Sequence, residues 1–144
     1  MTPLIRKIQR VFQTLPASEG SILTAVYVFG SFAKGRQKAA SDIDMAFVFN
    51  EHFYKQHPFE AFQKAELLGF AVGRETKKNI DVSVLNSSSL AFAYHTVRDG
   101  ICVYEDNPAD RLLYEVAAEN KYLDFMPFIR ELRDRKREPL IGSH

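Results

Sequence analysis

The chain has 144 residues, 46% of them apolar, and its 19 Lys and Arg against 18 Asp and Glu give a formal charge of +1. That length predicts one domain over 1–144 with a real core, and leaves no room for a second domain of its own to hold an acceptor. The balanced charge excludes a strong nucleic-acid footprint, no apolar run approaches membrane-spanning length, and the lone Cys102 suits a reducing, cytoplasmic setting.

Leu4, Ile5, Ile8, Val11, Phe12 and Leu15 recur at helical spacing between Pro3 and Pro16, so the chain opens on an amphipathic helix rather than a signal peptide. A turn over Ala17 to Gly20 follows. Ala25 to Phe29 then reads as a strand buried on both faces, ended by Gly30-Ser31. After ten intervening residues come Asp42-Ile43-Asp44 and the apolar run Met45 to Phe49, a second strand that begins with two acids. Residues 51–58 are expected to form a loop.

A helix is predicted from Phe59 to about Phe70, its end blurred by Gly69 and Gly73, with a charged turn over 74–79. Ile80 to Leu85 forms a third strand, in which Ile80, Val82 and Val84 share one face and Asp81 and Ser83 the other. Asn86 to Ser89 caps a helix carrying Leu90, Tyr94 and Val97, and Ile101 to Glu105 is a fourth strand. The core thus spans about 20–105. C-terminal helices over about 108–137 are expected to be kinked or split at Pro127, and the mixed charges of 130–138 read as a solvated helix end.

The chemistry concentrates between Gly30 and Asp81. Strand alternation points Asp42 and Asp44 the same way while Ile43 enters the packing. Two carboxylates on one face are costly unless a cation sits between them, and Mg²⁺ takes hard oxygen ligands together with substrate phosphates. Gly30 lets the backbone approach phosphate oxygens, and Ser31 and nearby amides donate to them. Lys34 and Arg36 are candidate phosphate contacts; the twelve Phe and six Tyr read mostly as core, with Tyr27 beside the signature and Phe32 after it as candidates to touch a nucleobase. No Gly-x-Gly-x-x-Gly follows a strand, so a dinucleotide site is not expected.

Gly30-Ser31, ten residues, Asp42-x-Asp44 resembles the signature of the DNA polymerase β-type nucleotidyltransferase superfamily, and the small size resembles its minimal nucleotidyltransferase (MNT) branch. Four fixed residues at that spacing arise by chance in well under about one chain in a hundred of this length. The resemblance implies an α/β fold with a mixed central sheet of about four or five strands, helices packed on one side, and the carboxylates at an open sheet face. It makes Asp42, Asp44 and Asp81 the catalytic carboxylates, holding one or two Mg²⁺ ions, with ATP as substrate held at Gly30, Ser31, Lys34 and Arg36. The third carboxylate of the family lies on the strand beside the Asp-x-Asp strand, where Asp81 matches.

The acceptor is less determined. The resemblance implies an antitoxin of HEPN/MNT toxin–antitoxin pairs that adenylylates a tyrosine of a HEPN-type toxin partner, within a homo- or hetero-oligomer. Two alternatives stand beside it: an antitoxin that acts by binding alone, and a dimeric nucleotidyltransferase of small molecules such as antibiotics.

Overall fold

The computed structural model describes residues 3–30 and 42–137, which form helices and one four-stranded sheet. In chain order the elements are α1 (Pro3–Gln13), α2 (Ala17–Gly20), β1 (Leu23–Phe29), β2 (Ile43–Phe49), α3 (Glu51–Gln56), α4 (Pro58–Thr76), β3 (Ile80–Val84), a 3-10 turn (Leu85–Ser87), α5 (Leu90–Asp99), β4 (Ile101–Glu105) and α6 (Pro108–Arg137). The sheet order is β3-β2-β1-β4. It is mixed: β1 runs antiparallel to β2 and β4, whereas β2 and β3 are parallel and are joined through α3 and α4.

Alternation along the central strands divides the core in two. Val26 and Val28 of β1 and Ile43, Met45, Phe47 and Phe49 of β2 point to one face. There they meet Ile5, Ile8 and Phe12 of α1 and Ala61, Ala65 and Val72 of α4. Ala25, Tyr27, Ala46 and Val48 point to the other face, against Phe92 and Val97 of α5 and Tyr114 of α6. The α1–α4 layer is the expected one-sided covering, and α5 with the first turns of α6 adds a partial second layer.

Three local readings need correction. Residues 51–56 are helical because the Asn50 side chain accepts from the Phe53 amide at 3.1 Å, capping a turn that its composition concealed. The helix α4 runs six residues beyond Phe70, to Thr76, where Lys77 caps it in the left-handed region at φ 58°. Gly69 does not break it. A Cβ at Gly69 would lie 2.5 Å from the Val82 side chain, so this glycine is what lets β3 close against α4.

Pro127 neither splits nor ends the last helix, since α6 is continuous over thirty residues. The backbone bond that proline removes belongs to the carbonyl of Leu123, a residue half exposed at 50%, so water can take its place. Asn107 starts this helix by accepting from the Ala109 amide at 2.8 Å.

Candidate active site

Parallel pairing of β2 with β3 places Asp44 directly opposite Asp81. On its other side Asp44 faces Phe29, the last residue of β1, so the carboxylate lies beside Gly30. Gly30 has φ 78°, a conformation open to glycine, and a Cβ there would run into the Asp44 carboxylate. Both backbone conformation and space therefore demand glycine. The end of β1 is held from the α5 side by an edge-to-face contact of Phe29 with Phe92, 5.2 Å between centroids.

Asp44 is part-buried, while Asp42 and Asp81 are exposed. Burial pushes the Asp44 carboxyl above its ordinary value; the charge of Asp81, a side-chain hydrogen bond with Asp81, and the charge of Asp42 push the same way. No cation among the described residues counters these effects. Two carboxyls thus share one site and Asp42 adds its charge at longer range. Among the described residues no three of His, Cys, Asp and Glu converge into a ready metal cage. A close acid pair with a third acid nearby still fits a hard divalent cation that completes its shell with phosphate oxygens and water.

Of the residues expected from sequence, the fold brings together Gly30, Asp42, Asp44 and Asp81. Ser31, Lys34, Arg36 and Phe32 lie outside the described residues. Tyr27 is not a nucleobase contact: it is 1% exposed, and its hydroxyl donates to Glu115 at 2.5 Å. Burial first, and then the Glu115 carboxylate, push this phenol well above its ordinary range.

Sequence reading missed the network around that tyrosine. Arg111 donates to Glu115 at 2.9 Å and to Glu105 at 2.8 Å, and lies over the Tyr27 ring. Burial opposes the guanidinium charge, but the two carboxylates outweigh it and keep Arg111 charged. The i, i+4 spacing of Arg111 and Glu115 was the available signal; their partner on β1, 88 residues from Glu115, had none. This network pins the start of α6 to β1 and β4. Cys102 sits beside it, its thiol raised by burial and donating to the Tyr104 carbonyl at 3.2 Å, an inert arrangement.

The sequence pattern of the family described as Polymerase beta, Nucleotidyltransferase matches residues 6–109, a span that holds Asp42, Asp44 and Asp81. The chain belongs to that family. Among nucleotidyltransferase relatives, the protein adenylyltransferase MntA of Aphanizomenon flos-aquae (strain 2012/KM1/D3) is 34% identical over 92 residues. The aligned stretch is 61% of this chain and spans 60% of that relative's length.

Solved structures share the fold over nearly all of both chains. A crystal structure of a toxin-antitoxin with AMP-PNP matches at TM-score 0.67 and 20% identity, covering 92% of this chain and 98% of that one. A tri-AMPylated Shewanella oneidensis HEPN toxin in complex with MNT antitoxin matches at TM-score 0.62 and 16% identity, with the same coverage. No helix among the described residues is long and apolar enough to cross a membrane.

Proposed function

We propose that this chain is a Mg²⁺-dependent nucleotidyltransferase that moves AMP from ATP to a tyrosine hydroxyl of a HEPN-type toxin partner in the cytoplasm, and so acts as its antitoxin. The observation that carries the reading is the Asp44–Asp81 pair, held opposite each other across the parallel ladder beside Gly30 with no described cation to offset it. Support for the acceptor class comes from the adenylyltransferase relative and from a fold shared with toxin–antitoxin complexes, one of which holds AMP-PNP and another a tri-AMPylated toxin.

Asp42, Asp44 and Asp81 are the residues that hold the metal in this reading. When bound, Mg²⁺ supplies charge neutralisation of the triphosphate and lowers the barrier to attack at phosphorus. The acceptor oxygen forms a new bond to the α-phosphorus while the bond from that phosphorus to the bridging oxygen breaks. Pyrophosphate leaves with that bond's electron pair. Asp81, the exposed member of the pair, takes the hydroxyl proton. Gly30 gives the phosphates room to approach the backbone, and Ser31, Lys34 and Arg36 follow it in the chain as donors for them.

The test combines the purified chain, Mg²⁺, ATP labelled at the α-phosphate and a candidate HEPN toxin, alongside Asp44→Asn. Label is expected on a tyrosine of the toxin with the unaltered chain and not with the variant. Equal transfer by Asp44→Asn refutes the assignment of the site. Neutralisation of the toxin by a triple Asp→Asn variant that transfers nothing favours action by binding alone.

A further inference from the structure

We propose, resting on the reading above, that the projecting half of α6 is the arm by which this chain holds its toxin partner. Residues 123–132 enter a cleft between two helices of the toxin, apolar inside and acidic at its rim.

The direction of α6 sets where the arm lies. Arg111 donates to Glu105, which pairs with Ala25, whereas Glu115 accepts from Tyr27, two residues nearer Gly30. The helix therefore runs in the same sense as β1, toward the end of the sheet that carries Gly30 and Asp44. The helix α5 runs the same way, since a Cβ on Gly100, which follows it, would lie 3.0 Å from the Val28 carbonyl oxygen. Tyr122 of α6 stacks on Tyr94 of α5 with 4.2 Å between centroids. From that pair α5 continues to Asp99 and α6 to Arg137, so α6 outruns α5 by about 15 Å at 1.5 Å per residue. Beyond Tyr122 no hydrogen bond, ion pair or ring contact among the described residues ties α6 to another element. A partner on this arm sits at the end of the domain where transfer takes place.

The composition of the arm calls for burial. Residues 123–129, Leu-Asp-Phe-Met-Pro-Phe-Ile, are apolar at every position except Asp124. At about 100° per residue these apolar side chains leave no gap wider than about 100° around the helix, and Asp124 stands in that gap. Helices apolar on every side are found inside packed assemblies. Here Leu123, Phe125 and Phe128, with Leu132 one turn further on, are 45–57% exposed. A second copy of the same helix would cover one side and leave the other in water. A cleft between two helices covers both.

Charge narrows the occupant. Over 125–136 stand Arg130, Arg133, Arg135 and Lys136 with two acids, Glu131 and Asp134. Arg135 donates to Glu131 at 3.0 Å. This leaves Arg130, Arg133 and Lys136, all exposed and without an ion-pair partner among the described residues, against Asp134. The positive excess selects an acidic rim on the partner.

The arm lies almost wholly beyond the catalytic family's pattern, which ends at residue 109. The fold shared with a toxin-antitoxin structure nonetheless covers 92% of the chain, whereas the residues ahead of Pro108 make up only 107 of 144. That shared fold therefore takes in α6.

The experiment titrates the full chain against the purified candidate HEPN toxin by calorimetry and runs the labelled-ATP assay on the same mixtures. Phe125→Ser with Phe128→Ser, and separately Arg130→Glu with Lys136→Glu, are each expected to raise the Kd for the toxin at least about tenfold, equivalent to about 1.4 kcal/mol. Both pairs raise KM for the toxin and leave kcat at saturating toxin unchanged, because Asp42, Asp44 and Asp81 are untouched. Melting curves check the fold, and if the Ser pair lowers the melt the charge pair decides.

A Kd and KM equal to the parent's in both variants overturn the arm and leave the transfer reading in place. Indifference to the charge pair alone overturns the acidic rim. A toxin that binds through the arm but never takes label sinks the transfer reading and leaves the arm standing. Light scattering of the chain alone tests the second copy: a dimer that Phe125→Ser with Phe128→Ser dissolves means that the arm is buried against another copy, and the proposal falls.

Discussion

Replacing Asp44 with Asn should make the metal-free protein more stable while abolishing transfer. The cause is the repulsive pair: like charges directly opposite on neighbouring strands cost about 0.2–1 kcal/mol, and Asp44 is part-buried, which places the cost toward the upper end. Asn keeps the shape and still donates to the Asp81 carboxylate. A gain of about 1 kcal/mol moves the melting temperature of a chain this size by about 3 °C.

The sign with pH follows from the raised carboxyl. In the folded protein Asp44 holds its proton to higher pH than in the unfolded chain, so its contribution to stability is fully present below its ordinary value of 3.8. That contribution is lost as pH rises through the folded value. Asp44→Asn removes this slope. Thermal melts in EDTA across the acid range, followed by circular dichroism, measure the difference, and it should be largest near neutrality. Adding Mg²⁺ should close or reverse the gap, because an ion at 100 times its Kd stabilises by about 2.7 kcal/mol. A variant less stable than the parent in EDTA at pH 7 would refute the repulsive pair.

Gly30→Ala should destabilise by about 1–3 kcal/mol and abolish transfer, since a left-handed φ and a collision with Asp44 act together; an unchanged urea midpoint would contradict the geometry. Tyr27→Phe should cost about 1–2 kcal/mol by removing the donor to Glu115, with nucleotide affinity unchanged because the ring lies in the core. A loss of ATP binding in that variant, measured by calorimetry, would place Tyr27 at the site after all. Gly69→Ala should cost about 1–3 kcal/mol by forcing α4 off Val82, read as a lower urea midpoint.

The strands and the acids were legible because both obey short-range rules. Alternation in Asp42-Ile43-Asp44 and in Ile80 to Val84 assigns faces without knowledge of the partner strand. That Asp44 meets Asp81 in register was not legible from either segment alone, because the parallel pairing is set by the intervening crossover through α3 and α4. The errors came where tertiary context overrides propensity. Gly69 and Gly73 look like helix breakers until β3 is laid against them, and Pro127 looks like a stop until the carbonyl it orphans is placed on Leu123, a half-exposed residue. Tyr27, a candidate nucleobase contact three residues from Gly30, is turned by strand alternation into the second core, where most aromatic rings were expected.

The two faces of the sheet have different work. The α1–α4 face is sealed, with Ile8, Val26, Val28, Ile43, Met45 and Phe47 all fully buried. The other face cannot be sealed at the β2–β3 end, since covering Asp44 and Asp81 with apolar side chains would strand an uncompensated acid pair in a low-dielectric setting. The second layer accordingly stops short. It is anchored at the β1–β4 end, where Arg111 joins Glu105 to Glu115 and Glu115 accepts from Tyr27. Charge is satisfied internally at that end of the face and, among the described residues, left without a countering cation at the other. Among the described residues, that end borders the last residue of β1 on one side and β3, the outer strand of the sheet, on the other. A nucleotide held beside Gly30 would bring its phosphates over these carboxylates.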